Sequence, residues 1–188
     1  MKKVEIYNAV LEAVEEVMGV SRSLILSKHR HQDIKEARHM TAALLVCCGF
    51  LTTKAGSMMN RDHSTIVHST KTIKDRLSIK DYETMTNFMR CLAKVSHLLK
   101  RQQTECFLNL LESEILLMDT SFALAVIDFC QRIRQMQGII IQGGILPCDM
   151  TSEMLMHNVE AAIASKREID QNTGKDLLES MEARLLSI

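Results

Sequence analysis

A single proline, Pro147, stands in 188 residues, and β-branched residues hardly ever alternate with polar ones. Both absences argue against a sheet and leave helical spacing as the dominant signal, so an all-α fold is expected. None of the six cysteines (Cys47, Cys48, Cys91, Cys106, Cys130, Cys148) forms a Cys-x-x-Cys pair. Zinc needs such paired spacing. The thiols sit among apolar neighbours and read as small buried hydrophobes of a reducing compartment, so no metal and no cofactor is expected. The longest uncharged stretches, about residues 40–53 and 135–148, are too short to span a bilayer. Glu5, Glu12, Glu15 and Glu16 also break any signal-peptide core after Met-Lys-Lys, which leaves a cytoplasmic protein with no membrane partner. Catalytic patterns are missing too. There is no Gly-x-Ser-x-Gly elbow, and Thr173-Gly174-Lys175-Asp176, the nearest match to a phosphate-binding loop, lacks the upstream glycine and the final hydroxyl. It reads better as a helix start capped by Thr173. The expectation is that this is not an enzyme.

Net charge is zero, which taken alone would argue against nucleic acid. The average conceals a division. Residues 1–98 carry 15 Lys and Arg against 10 Asp and Glu, and residues 99–188 carry 8 against 13. Six of the seven histidines also fall in the first part. A basic half joined to an acidic half suits a nucleic-acid module attached to something else.

What is present concentrates in residues 61–69, Arg-Asp-His-Ser-Thr-Ile-Val-His-Ser. Asp62 is a good N-cap, able to accept a bond from an orphan amide of the first turn. A helix starting there sets Ser64, His68 and Lys71 at i, i+4 and i+7, with Thr65 beside them. Ile66, Val67, Ile73 and Leu77 form an apolar stripe on another side. Hydroxyls and imidazoles in a first turn, with lysine further along, suit a helix inserted end-on into the DNA major groove. Upstream, Arg30 lies between His29 and His31 in a flexible basic linker, where a guanidinium could enter a narrow minor groove. Lys28, Arg38, Arg61 and Lys71 suit phosphates.

The stretch resembles the signature of the C-terminal DNA-binding domain of the DnaA replication initiators, Arg-Asp-His-Ser/Thr-Thr-Val/Ile-x-His. The resemblance extends to Leu26-Ser27-Lys28-His29-Arg30 and Ala37-Arg38-His39-Met40, and covers about residues 4–78. It implies a DnaA/Trp-repressor-like helix-turn-helix fold. Arg30 would then read the minor groove, and Asp62, His63, Ser64, Thr65 and His68 the major groove of DnaA-box-like sites. Two departures stand out. Met59-Asn60 replace the family's usual glycine before Arg-Asp-His, and Ala37 replaces its proline. Asn tolerates a left-handed backbone, so the turn is expected to survive.

Helices are expected at about 3–18, 33–48, 52–59 and 63–79, with a turn from Ser21 to Ser27. Residues 1–80 then form the DNA-binding domain and 81–188 a helical bundle of unknown role. That bundle would have one long helix from Asp81 to about Gln103, others at 105–118 and 121–136, a connector or strand from Gly138, and two last helices at 151–167 and 173–187. Its many apolar residues point to self-association or to a replication protein as partner. Double-stranded DNA is the expected partner of the first domain, with a role in replication initiation or its regulation and without the initiator's ATPase. The alternative is a transcriptional regulator or protein-interaction module with a borrowed helix-turn-helix.

Overall fold

The computed structural model describes residues 3–113, 118, 120–141 and 160. In chain order its helices are α1 (Lys3–Met18), α2 (Arg22–Leu26), α3 (Gln32–Cys47), α4 (Thr52–Met59), α5 (His63–Ser78), α6 (Tyr82–Lys94), a 3-10 turn (Ser96–Leu98), α7 (Arg101–Glu112) and α8 (Thr120–Ile141). No strand occurs among the described residues. The fold is all-α, as helical spacing implies.

The expected turn at Ser21–Ser27 is in fact the short helix α2. Around it the chain is organised by α3. Met40 to Leu45 is buried without interruption, and small Ala37, Ala42 and Ala43 let neighbours approach closely. Helices α1, α4, α5 and α7 all pack on α3. Tyr7 ties α1 to α4, its hydroxyl donating to the Met58 carbonyl at 2.8 Å.

Helix α4 and helix α5 make the helix-turn-helix. Asn60 adopts the left-handed conformation, φ 52°, and the Arg61 amide donates to the Gly56 carbonyl at 2.9 Å, closing the end of α4. Asparagine therefore carries the turn where the related pattern has glycine. A separate, steric need for glycine arises at Gly56, where a Cβ would stand 2.7 Å from the Arg61 carbonyl oxygen. Asp62 caps α5, accepting from the Ser64 amide at 2.8 Å. The buried face of α5 is Ile66, Ser69, Thr70, Ile73 and Leu77. Val67, expected in that apolar stripe, is instead 51% exposed. The core-facing spacing passes through Ser69 and Thr70, so the position one residue after Ile66 turns outward.

Beyond α5 the apolar core continues without a break at residue 80. One cluster of buried residues runs from Tyr7 to Met136. Helix α6, capped by Asp81, sets Met85, Phe88, Met89 and Leu92 against α1 and α5. Lys80 donates to the Leu110 carbonyl at 2.7 Å, reaching across to the end of α7. The long helix expected from Asp81 to Gln103 is broken. Leu99 is extended, the Lys100 amide donates to the Cys47 carbonyl at 2.7 Å, and α7 turns back onto α3 and α5. A straight continuation would leave Leu98, Phe107 and Leu111 in water. The Phe88 and Phe107 rings stack at 5.3 Å where α6 and α7 meet. Helix α7 ends at Glu112, short of the expected 118, and α8 runs on through Gly138 to Ile141, where a connector or strand was expected. The helices expected at 151–167 and 173–187 lie outside the described residues. Cys47, Cys48, Cys91 and Cys130 are buried, and burial pushes the Cys48 thiol up to about 12. Cys106 is exposed, unlike the buried thiol expected of it. No described helix is long and apolar enough to cross a membrane, and no metal-ligating cluster occurs among the described residues.

Candidate nucleic-acid interface

Between α3 and α5 opens a cleft of about 530 Å³. Arg30, Arg38, Arg61, Thr65 and His68, all expected at the site, line it together. Asp62, His63 and Ser64 stand exposed at the adjoining N-terminus of α5. Lys28 and Lys71 are exposed and lie outside the cleft lining.

The capped first turn of α5 leaves Ser64, Thr65 and His68 in solvent, projecting from a helix whose opposite side is fixed in the core. Asp62 is an acceptor only, and bonds from Ser64 hold its carboxyl below the usual carboxylate range. It also lies 3.2 Å from the His63 Nδ1.

The basic loop is clamped rather than free, which corrects the picture of a flexible linker. Arg38 donates from Nε to the Ile25 carbonyl at 2.7 Å and from Nη2 to the Ser27 and His29 carbonyls at 2.8 and 2.6 Å. Arg61 reaches the same Ser27 carbonyl. Two guanidiniums thus converge on one backbone oxygen of the loop that carries Arg30, and neither forms an ion pair among the described residues. Burial first, and then the Arg61 charge, lower the Arg38 pKa. Arg38 and Arg61 therefore hold the loop's shape, and the exposed Arg30 extends from a fixed backbone.

Lys35, Thr72 and Arg76 line the cleft without having stood out in the sequence, and His39, noted there only within the Ala37-Arg38-His39-Met40 stretch, lines it too. Lys35 lies one turn before Arg38, and Thr72 and Arg76 follow His68 at helical spacing, so the 3.6-residue period was the signal available. Arg76 pairs with Glu36 at 3.2 Å. His39 meets His68 edge to face, ring centroids 6.0 Å apart. Burial, followed by the charges of His68, Arg76 and Lys35, holds the His39 pKa at about 4. It is therefore neutral at pH 7, an uncharged element in a basic wall.

Residues 7–73 match the family model of the bacterial dnaA protein helix-turn-helix. No curated protein and no solved structure matches the chain.

Proposed function

From the premise that residues 7–73 form a helix-turn-helix of the DnaA C-terminal type, a DNA-binding module tied to replication initiation, we propose that this protein binds double-stranded DNA sequence-specifically at DnaA-box-like sites. Its role is to regulate initiation by occupying such sites in the cytoplasm, on the nucleoid. The sequence holds no phosphate-binding loop, which supports a reader working without its own nucleotide motor.

The observation that carries this reading is the presentation of α5. A carboxylate-capped helix start exposes Ser64, Thr65 and His68, and a cleft with several cations joins them to Arg30. In this arrangement the first turn of α5 enters the major groove, with Asp62, His63, Ser64, Thr65 and His68 facing base edges. Arg30 enters the neighbouring minor groove. Lys28 and Lys71, both exposed, contact phosphates, and Arg38 and Arg61 serve chiefly by fixing the loop while adding positive potential.

Selection of bound sequences from random duplexes tests the proposal. Thr65→Ala and His68→Ala should each cost about 1–3 kcal/mol on the selected site and little on random DNA. Equal losses on both would show that these side chains do not read sequence. The partner of the C-terminal half is a second question. The apolar residues Phe107, Leu108 and Leu111 of α7, and Phe122, Phe129 and Ile133 of α8, are buried in the shared core. That favours a monomer over pairing through these helices. Light scattering of the full chain decides, and a dimer at micromolar concentration would restore self-association.

A further inference from the structure

We infer that Val67 reads the 5-methyl group of a thymine in the major groove; this rests on the DNA-binding reading above. The starting point is an inversion within α5. Ile66, Ile73 and Leu77 are at most 2% exposed, whereas Val67 is 51% exposed. The same helix buries the hydroxyl residues Ser69 and Thr70, and the Thr70 Oγ1 has no hydrogen-bond partner among the described residues. An apolar side chain thus faces water while a hydroxyl sits unsatisfied inside.

One exposed valine is ordinary on any surface. Its position sets this one apart. At 3.6 residues per turn, Val67 falls on the same edge of α5 as His63, Ser64 and Lys71. Thr65, His68, Thr72 and Arg76 turn instead toward the cleft. The outward face of α5 therefore has a cleft edge and an open edge, and Val67 is the apolar member of the open edge. A helix seated in the major groove would bring that edge to the base pairs.

The chemistry fits one feature of the groove. Thymine presents a methyl group there, where cytosine presents only hydrogen. Valine is β-branched and nearly confined to one rotamer in a helix, so its methyls meet that group with little loss of side-chain freedom. Alanine would be the better helix former at an exposed position, so helix propensity does not account for the choice.

The test uses the full chain and its selected duplex, with each thymine replaced in turn by deoxyuridine, which removes only the methyl. Wild type should lose about fourfold in affinity at one or two positions, the worth of one buried methyl. Val67→Ala should bind the thymine duplex about fourfold more weakly and show no deoxyuridine penalty there. Val67→Leu should restore the penalty. Wild type indifferent to deoxyuridine at every position would overturn the inference, as would an undiminished penalty in Val67→Ala. Should either occur while Thr65→Ala still loses affinity on the selected site, only this inference falls. If no duplex is preferred, the DnaA-box reading fails and takes this one with it.

Discussion

Two sets of arginines in this molecule are used in opposite ways. On the α7–α8 side, Arg134 is held by Glu105 at 2.9 Å and Glu112 at 2.7 Å, and Arg132 by Asp128 at 3.0 Å. Hydrogen bonding to Glu112 raises the Arg134 pKa further. On the α3–α5 side, Arg38 and Arg61 donate to neutral carbonyls and form no ion pair among the described residues. Nor do Lys28, Arg30, Lys35 or Lys71, and Arg76 with its Glu36 is the exception. The α8 arginines are therefore neutralised within the fold, whereas most cations of the α3–α5 side are left without an ion pair among the described residues. Formal charge counted along the chain shows only the division between halves. The paired state of each cation shows which face retains an anion-attracting potential.

The sharpest way to break the comparison is to separate the two sides. A chain cut after residue 80 removes α6, and with it Met85, Phe88, Met89 and Leu92 from α1 and α5. Each such burial is worth roughly 1.5–3 kcal/mol, and the sum rivals the 5–15 kcal/mol stability of a typical domain. Residues 1–80 alone should therefore be largely unfolded by circular dichroism at 25 °C, whereas a cut after residue 99 should leave a cooperative, weaker melt. A stable 1–80 fragment would show that the basic side folds independently of α6, α7 and α8.

The next largest effect concerns the joint of the helix-turn-helix. In Gly56→Ala the new Cβ meets the Arg61 carbonyl oxygen at 2.7 Å, which is backbone and cannot swing aside. A loss of about 2 kcal/mol is expected, overriding the gain in helix propensity that alanine normally brings. Urea melts check it, and a neutral result would mean that α5 can shift without cost.

These positions also show how far the sequence could be read. Asp62 as cap, Asn60 in the turn and the solvent-facing Ser64, Thr65 and His68 were legible because capping and left-handed turns are local chemistry. Gly56 was not, since its need arises from a close approach five residues away. The break after α6 was hidden for a different reason. No glycine or proline marks Val95 to Lys100, and the apolar residues on both sides keep helical spacing. Only tertiary packing, with the Lys100 amide on the Cys47 carbonyl, makes the chain turn there. The hold of Arg38 on the loop was not legible, because sequence reports charge but not the four carbonyls within its reach. Val67 was assigned inward because a helix face is about 100° wide and either choice suited the pattern.

The contrast between the arginines sharpens with a matched pair of substitutions. Arg134→Ala leaves Glu105 and Glu112 without their partner on a partly exposed surface. It should cost about 1 kcal/mol of stability and leave DNA affinity unchanged. Arg38→Ala frees the Ser27–His29 backbone, so Arg30 would no longer extend from a fixed loop. Affinity should fall about tenfold at moderate salt, with a smaller slope against salt concentration. Fluorescence anisotropy on one duplex at three salt concentrations reads both. An Arg134→Ala loss equal to that of Arg38→Ala would remove the distinction between the two faces.

The smallest expected effect probes the neutral member of the basic wall. His39 has a pKa of about 4 in the folded chain against 6.5 for an unperturbed histidine, and its buried Nδ1 has no hydrogen-bond partner among the described residues. Between those values the unfolded chain binds the extra proton and the folded chain does not, so stability falls as pH drops through this window and is fully present above it. Protonation within the fold would add a third positive charge to those of Lys35 and Arg76, with Glu36 alone opposing it. Because His39 is only partly buried, solvent screening reduces the effect, and about 1 kcal/mol between pH 7 and pH 5 is expected. His39→Gln keeps the shape and removes the titration. Urea melts of both chains at the two pH values should show the wild type losing more than the variant, since every other titrating group is common to both. Identical losses would mean that His39 protonates in place at little cost, and that the cleft already tolerates the added charge.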